Sequence, residues 1–301
     1  MQIQGVMNYL YLLGGLVLLT VGGEALIRGA LVAARRLGVS PLLSGLVIVG
    51  FGTSAPELAV SVDAALQQQP DIAIGNVVGS NIGNVLLILG ACALITPLAV
   101  QPMALHRDAV TGVAASILFV VLVGGSALGP VDAVIFLVSL LAYLAWAYRS
   151  ERLHALPSGE LHKAEAEELT ALPKSTGWTV ITLIASLFLL IAGSRLLLAG
   201  AVGIAEHFGV SEAVIGLTLV AVGTSLPEFS ISIIAALRRH ADVAVGNILG
   251  SNIFNLLGIL GISAILQPLP VHERILKFDQ WVMLGASLLL LVFLYTGRRL
   301  S

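Results

Sequence analysis

The chain has 301 residues, 57% of them apolar and 11% charged, against about 25% charged in an ordinary soluble domain. That balance, with 32 glycines and a mean hydropathy of +1.00, excludes a soluble globular protein and describes helices that meet lipid outside and pack closely inside. A net charge of −2 offers no basic patch to nucleic acid, and the single cysteine, Cys92, rules out an internal disulfide.

Nine hydrophobic runs are predicted as helices, near residues 7–30, 41–66, 72–96, 108–125, 131–148, 177–200, 211–237, 243–266 and 278–296. The first has no basic leader and no small-residue cleavage site, so it reads as a retained helix and not a signal peptide. Its Glu24 and Arg28 are four apart and read as a local ion pair. Asp71 and Asp242, at the starts of runs three and eight, read as N-caps. The hydrophilic stretch 149–175 divides five runs from four and is expected as a cytoplasmic loop between units 1–148 and 176–301. Its Glu165, Glu167 and Glu168 read as a solvated surface before a regulatory calcium site.

Residues 52–90, GTSAPELAVSVDAALQQQPDIAIGNVVGSNIGNVLLILG, align without a gap on residues 223–261, GTSLPEFSISIIAALRRHADVAVGNILGSNIFNLLGILG. The offset is a constant 171, and 22 of 39 positions are identical. The matches are mostly Gly, Ser, Thr, Asn, Pro and Glu, where chance likeness between apolar helices would share Leu and Val. The copies begin at runs two and seven. Five helices separate them, an odd number, so they are expected to enter the bilayer from opposite sides as an inverted-topology repeat.

With the amino terminus outside, 11 of the 15 basic residues fall in cytoplasmic segments: Arg35, Arg36, Arg107, Arg149, Arg152, Lys163, Lys174, Arg238, Arg239, Arg298 and Arg299. Arg274 and Lys277 fall outside, and Arg28 and Arg195 lie within or near helix ends. The first half has two runs after its repeat segment and the second has one before Ser301, so the tenth helix of a 5+5 layout is expected to be absent from this chain.

A carboxylate near the middle of a spanning helix costs about 3 kcal/mol on insertion scales, so one there usually has a purpose. Glu57 and Glu228 lie well inside runs two and seven, each after a Gly-Thr-Ser triplet and a proline, Pro56 or Pro227. Proline removes one backbone hydrogen bond and obstructs the carbonyl four residues earlier, so the helix is expected to break there. The break would free carbonyls around Gly50 and Ala221 beside the hydroxyls of Thr53, Ser54, Thr224 and Ser225, an oxygen-rich surface suited to a bare cation. On the next helix Asn76, Ser80 and Asn84 share a face, as do Asn247, Ser251 and Asn255, while Gly75, Gly79 and Gly83 form a small-residue ridge for close approach.

All these donors are hard oxygens, which select against zinc, copper and iron and suit calcium or the alkali ions. Two carboxylates match one divalent charge. Emptied, and about 5 Å apart, they would repel by roughly 3 kcal/mol at an effective dielectric of about 20. The site should therefore not cross the membrane empty, which favours an exchanger returning with Na⁺ or H⁺ over a uniporter. A passive cation channel could use the same oxygens, but broken helices in inverted repeats favour alternating access. No HExxH metal motif or GxSxG nucleophile occurs, so an intramembrane enzyme is not expected. For Glu57 and Glu228, and more so for Ser80 and Ser251, the competing interpretation is helix packing.

The paired GTSAPE and GTSLPE motifs, each followed by GN-x-x-GSNI-x-N, resemble the alpha repeats of the calcium/cation antiporter superfamily, especially its prokaryotic sodium/calcium exchanger branch. The resemblance implies an all-α polytopic protein of the prokaryotic inner (cytoplasmic) membrane, with two inverted five-helix halves. It implies that the first and sixth helices slide across a ligand-bearing core, exchanging Ca²⁺ for Na⁺, with Ca²⁺/H⁺ antiport the alternative and no resident cofactor. It further implies ligation by Thr53, Ser54, Glu57, Ser80, Asn84, Thr224, Ser225, Glu228, Ser251 and Asn255, assisted by the carbonyls of Gly50 and Ala221. Where some members of the superfamily carry aspartate, this chain has Asn255, one charge fewer.

Overall fold

The computed structural model describes residues 2–39, 41–99, 102–153, 175–208, 223–297 and 299–300, and these are almost wholly helical. Among them the helices of twelve residues or more are α1 (Gln2–Leu37), α2 (Ala55–Leu66), α3 (Pro70–Gly83), α4 (Pro102–Val123), α5 (Pro130–Leu153), α6 (Thr176–His207), α7 (Leu226–Leu237), α8 (Ala241–Ile253) and α9 (Gln280–Gly297). Each of the nine expected runs overlaps one of them, although residues 209–222 of run seven lie outside the described residues, as do most of the loop and its acidic cluster. Among the described residues six helices are long and apolar enough to cross a membrane, and there are seven such spans if the bent pair Gly45–Thr53 and Ala55–Leu66 is counted as one.

Local chemistry sets the boundaries. The first helix runs past residue 30 to Leu37 and stops where Gly38 adopts φ 65°, its N–H bonding the Arg35 carbonyl and the Val39 N–H bonding Ala34. Only glycine takes that left-handed turn without strain, and Arg35 and Arg36 meet the negative end of the helix dipole. Asp71 and Asp242 are not N-caps. Pro70 takes the first helical position of α3 and leaves Gln69 as the cap, with the same register giving His240 in α8, so both aspartates stand inside the first turn.

Among the described residues are four π-helical turns that the hydropathy pattern does not predict, Gly45–Gly50, Asn84–Leu89, Phe254–Ile259 and Ile275–Asp279. Short strands tie distant segments: β1 (Leu98–Ala99) pairs with β4 (Arg299–Leu300), and β2 (Ala127–Leu128) with β3 (Leu269–Pro270). The turns after α2 and α7 are alike, with Gln68 and Arg239, 171 apart, at φ 58° and 61°.

The core centres on α8. The apolar stretch of Ala241–Leu266 is 83% buried, against 44% for Pro70–Ile95 and less for the other described spans, so α8 is wrapped by protein on nearly all sides. Glycines permit its closest contact: a Cβ on Gly250 would lie 2.1 Å from the Leu46 carbonyl oxygen, and one on Gly50 2.8 Å from that of Asn247. The expected ridge at Gly75, Gly79 and Gly83 meets nothing within 4 Å among the described residues. Gly79 is the repeat counterpart of Gly250, and the counterpart of Leu46 lies within 209–222. Along α1 and α6, Gly15 abuts Leu197 and Gly200 abuts Asn8 and Leu12, giving a second closely packed pair.

Run four begins earlier than expected, at Pro102, and takes Arg107 into the helix. Arg107 is buried against Asp108 through two bonds of 2.6 and 2.9 Å and donates to the Ala147 carbonyl on α5. The Tyr143 hydroxyl donates to the same carboxylate at 2.8 Å. Removing one partner of a buried pair strands the other charge, so Asp108→Ala is expected to cost about 3–5 kcal/mol. A lowered thermal midpoint in detergent checks it. Glu273→Ala, at the exposed pair with Lys277, should change stability by less than about 1 kcal/mol.

Candidate cation site

The break in run two falls at Ser54, between Phe51–Thr53 and α2, with a bend of 47°. Pro56 lies in the first turn of α2 and Glu57 follows, 1% exposed. The second copy repeats this: Ser225 precedes α7, Pro227 lies in its first turn, and Glu228 is 1% exposed. Two carboxylates thus stand at helix starts in the interior, where the helix dipole favours negative charge.

The copies are interlocked reciprocally. Ser225 donates its hydroxyl to Glu57 Oε1 at 3.0 Å, and Ser54 donates to Glu228 Oε1 at 3.0 Å. Asn76 donates to the Glu57 backbone carbonyl and to Ser61, while Asn247 donates to the Glu228 carbonyl and to Ser232. The Asn76, Ser80, Asn84 face is therefore shared as expected but divided in use. Asn76 braces α2, Ser80 lies 3.5 Å from the Ser225 hydroxyl, and Asn84 meets Asn252.

One expectation is corrected. The Gly50 carbonyl is not left free by the break: it accepts from Ser54 N–H at 3.3 Å, from the Thr53 hydroxyl at 3.3 Å and from the Ser251 hydroxyl at 3.0 Å. The π-helical turn and the close approach of α8 bring those donors to it. Thr53 also bonds Asn247 Oδ1 at 3.2 Å, and Thr224 lies beside the Glu57 carboxylate. Ala221 lies outside the described residues.

Buried polar atoms normally find a hydrogen-bond partner. Among the described residues, Glu57 Oε2, Glu228 Oε2, Asn84 Oδ1 and Asn255 Oδ1 are buried and accept no hydrogen bond, and they form two exact repeat pairs. All four are hard oxygens, the donor type that suits Ca²⁺ and Na⁺. Among the described residues no three His, Cys, Asp or Glu side chains gather where they could hold a metal ion.

Sequence reasoning missed Asn81 and Asn252, which hold the two asparagines just named. They sit one residue beyond the serines of the GSN motifs, off the face defined by fourfold spacing, and only their exact repetition could have drawn attention to them. It also missed that Glu24, besides pairing with Arg28 at 2.6 Å, bonds Arg238 beyond α7 at 3.0 Å and so links α1 to α7.

Fold and chemistry together define a multi-pass membrane protein with a buried set of hard oxygen donors. The chain belongs to the sodium/calcium exchanger protein family, which it matches over residues 7–149 and 178–300. It is 40% identical to the CaxA protein of Alkalimonas amylolytica over 94% of this chain and 88% of that one. It is 35% identical to the sodium/calcium exchanger MaX1 of Methanosarcina acetivorans, over 96% and 92% of the respective chains. A solved structure of the sodium-calcium exchanger NCX_Mj, soaked with Na⁺ and Ca²⁺, superposes with a TM-score of 0.82 at 31% identity, covering 98% of this chain and 92% of that one.

Proposed function

We propose that the protein is a secondary antiporter that exchanges Ca²⁺ for Na⁺ across the membrane by alternating access. The observation that carries this reading is the reciprocal set of buried, unpartnered oxygens on Glu57, Glu228, Asn84 and Asn255. Two carboxylates neutralise one divalent ion, and the amide oxygens raise the ligand count without adding charge. The hydroxyls of Thr53, Ser54, Ser80, Thr224, Ser225 and Ser251 complete the proposed ligand set. Those of Ser54 and Ser225 already touch the carboxylates and turn freely between donor and acceptor roles. The Gly50 carbonyl joins when Ser251 or Thr53 rotates away from it, with the Ala221 carbonyl as its counterpart.

In this reading units 1–148 and 176–301 are inverted halves joined by loop 149–175, and the amino terminus faces outward from a prokaryotic inner membrane. Supporting it are the carboxylate hydrogen bonds that recur at an offset of 171, the like pairing of β1 with β4 and of β3 with β2, and the basic residues on the loop side. The ions are cargo. No resident cofactor and no covalent chemistry are required.

Emptied, the two carboxylates repel, so the return stroke needs counter-ions. In proteoliposomes with equal pH on both sides, an outward Na⁺ gradient is expected to drive Ca²⁺ uptake. Uptake that ignores Na⁺ and follows an imposed pH gradient would overturn sodium coupling.

A further inference from the structure

Four buried asparagines, two at the end of α3 and α8 and two in the π-helical turns that follow them, join the repeat copies in a hydrogen-bonded cluster. Asn81 donates from Nδ2 to the backbone carbonyl of Asn252 at 3.1 Å, and Asn252 donates from Nδ2 to that of Asn81 at 3.2 Å. A backbone carbonyl can only accept, so these two bonds decide which end of each amide is nitrogen. The remaining oxygens are thereby committed as acceptors. Asn255 Nδ2 donates to Asn81 Oδ1 at 3.0 Å, and Asn84 Nδ2 donates to Asn252 Oδ1 at 2.9 Å. With those nitrogens engaged, Asn84 and Asn255 present the Oδ1 atoms that accept nothing.

We propose that Asn81 and Asn252 are positioning residues that lock the amides of Asn255 and Asn84 with their carbonyl oxygens turned to the transported cation. The proposal rests on the ligand role of Asn84 and Asn255 given above. The two ends of an amide have nearly the same shape, so packing alone does not decide its orientation. A flipped amide would aim N–H donors at the ion and turn a ligand into a repulsive group. Each lock crosses between the repeat copies, so the orientation of a ligand in one half is set by a residue of the other.

The test compares Ca²⁺-dependent exchange in proteoliposomes for Asn81→Ala in two backgrounds, native and Asn255→Asp. Loss of a group that orients a metal ligand typically costs 10–100-fold in affinity, so Asn81→Ala should raise the KM for Ca²⁺ by about 10-fold or more and change kcat less. A carboxylate at 255 has two equivalent oxygens and no N–H for Asn81 Oδ1 to accept, so Asn81 has nothing there to lock. In the Asn255→Asp background the same substitution should therefore change KM by less than about 3-fold, a coupling between neighbours that independent sites would not show. Equal losses in both backgrounds mean a packing role and overturn the proposal.

Asn255→Ala separates the two claims. An unchanged KM there removes the ligand reading itself, whereas a raised KM with a background-independent Asn81 effect removes the lock alone. Asn81→Ser, which keeps a hydroxyl for the Asn252 carbonyl but has no amide to orient Asn255, is measured in parallel so that poor folding of the alanine variant does not decide the outcome. Asn252→Ala with Asn84→Asp repeats the test in mirror image.

Discussion

Glu57→Gln and Glu228→Gln are each expected to bring Ca²⁺ exchange below detection while folded protein is recovered from the membrane. Glutamine keeps the shape and can keep the serine bond to Oε1, which is 3.0 Å in both copies. It replaces Oε2, the oxygen with no hydrogen bond, by an amide nitrogen carrying two donors. The site loses half its negative charge and gains a group that repels a cation. Losing an orienting partner alone costs a metal site 10–100-fold, and losing a ligand and its charge must exceed that, so exchange should fall by more than about 100-fold.

Stability should move the other way. Neutralising one of two mutually repelling carboxylates removes a native-state penalty, so the Ca²⁺-free thermal midpoint should not fall, whereas the rise on adding Ca²⁺ should vanish. Uptake of ⁴⁵Ca²⁺ and a thermal scan with and without Ca²⁺ read both effects. The bonding is reciprocal, so the two variants should behave alike; full activity in either would end the shared-site account.

The parts of this site legible in the sequence were those where one residue type has one strong consequence. Proline beside Gly-Thr-Ser broke the span at Ser54, and duplicated carboxylates in apolar runs reported a buried polar centre. The layout of runs followed from hydropathy alone, because each apolar segment must span or be buried. Less legible were features set by the contact between elements. The π-helical turns have no residue signature in segments such as NVLLIL and FNLLGI, since an extra residue per turn is decided by what packs alongside. The Gly50 carbonyl lost its freedom to Ser251, a residue 201 positions away. Asn81 and Asn252 are held by backbone carbonyls across the repeat, and no periodicity within one helix points there. Asp71 and Asp242 fell inside their helices because cap register is settled by a single residue, which composition at a helix start does not resolve.

Gly250→Ala is expected to abolish folding or transport, although it adds one methyl group and improves helix propensity by about 1 kcal/mol. The new Cβ would lie 2.1 Å from the Leu46 oxygen and 2.7 Å from its carbonyl carbon and Cα, all backbone atoms with no rotamer to yield. Either α8 or the π-helical turn Gly45–Gly50 must retreat. That turn ends on Gly50, whose carbonyl holds Ser251 and Thr53, and leads directly to Ser54 and Glu57, so a retreat pulls one wall of the site from the other. Overpacking usually costs 1–3 kcal/mol where side chains can adjust, and here, where only backbone can move, the cost should be at or above the top of that range. Gly285→Ala on α9 is the control: among the described residues nothing lies within 4 Å of its Cβ, so propensity alone should act and stability should hold or rise slightly. Recovery of monodisperse protein, its thermal midpoint and Na⁺-driven Ca²⁺ uptake are the measurements. Native uptake by Gly250→Ala would mean that α8 and the broken span do not need their backbone contact, and that the carboxylates are held in register by something other than the helix packing described here.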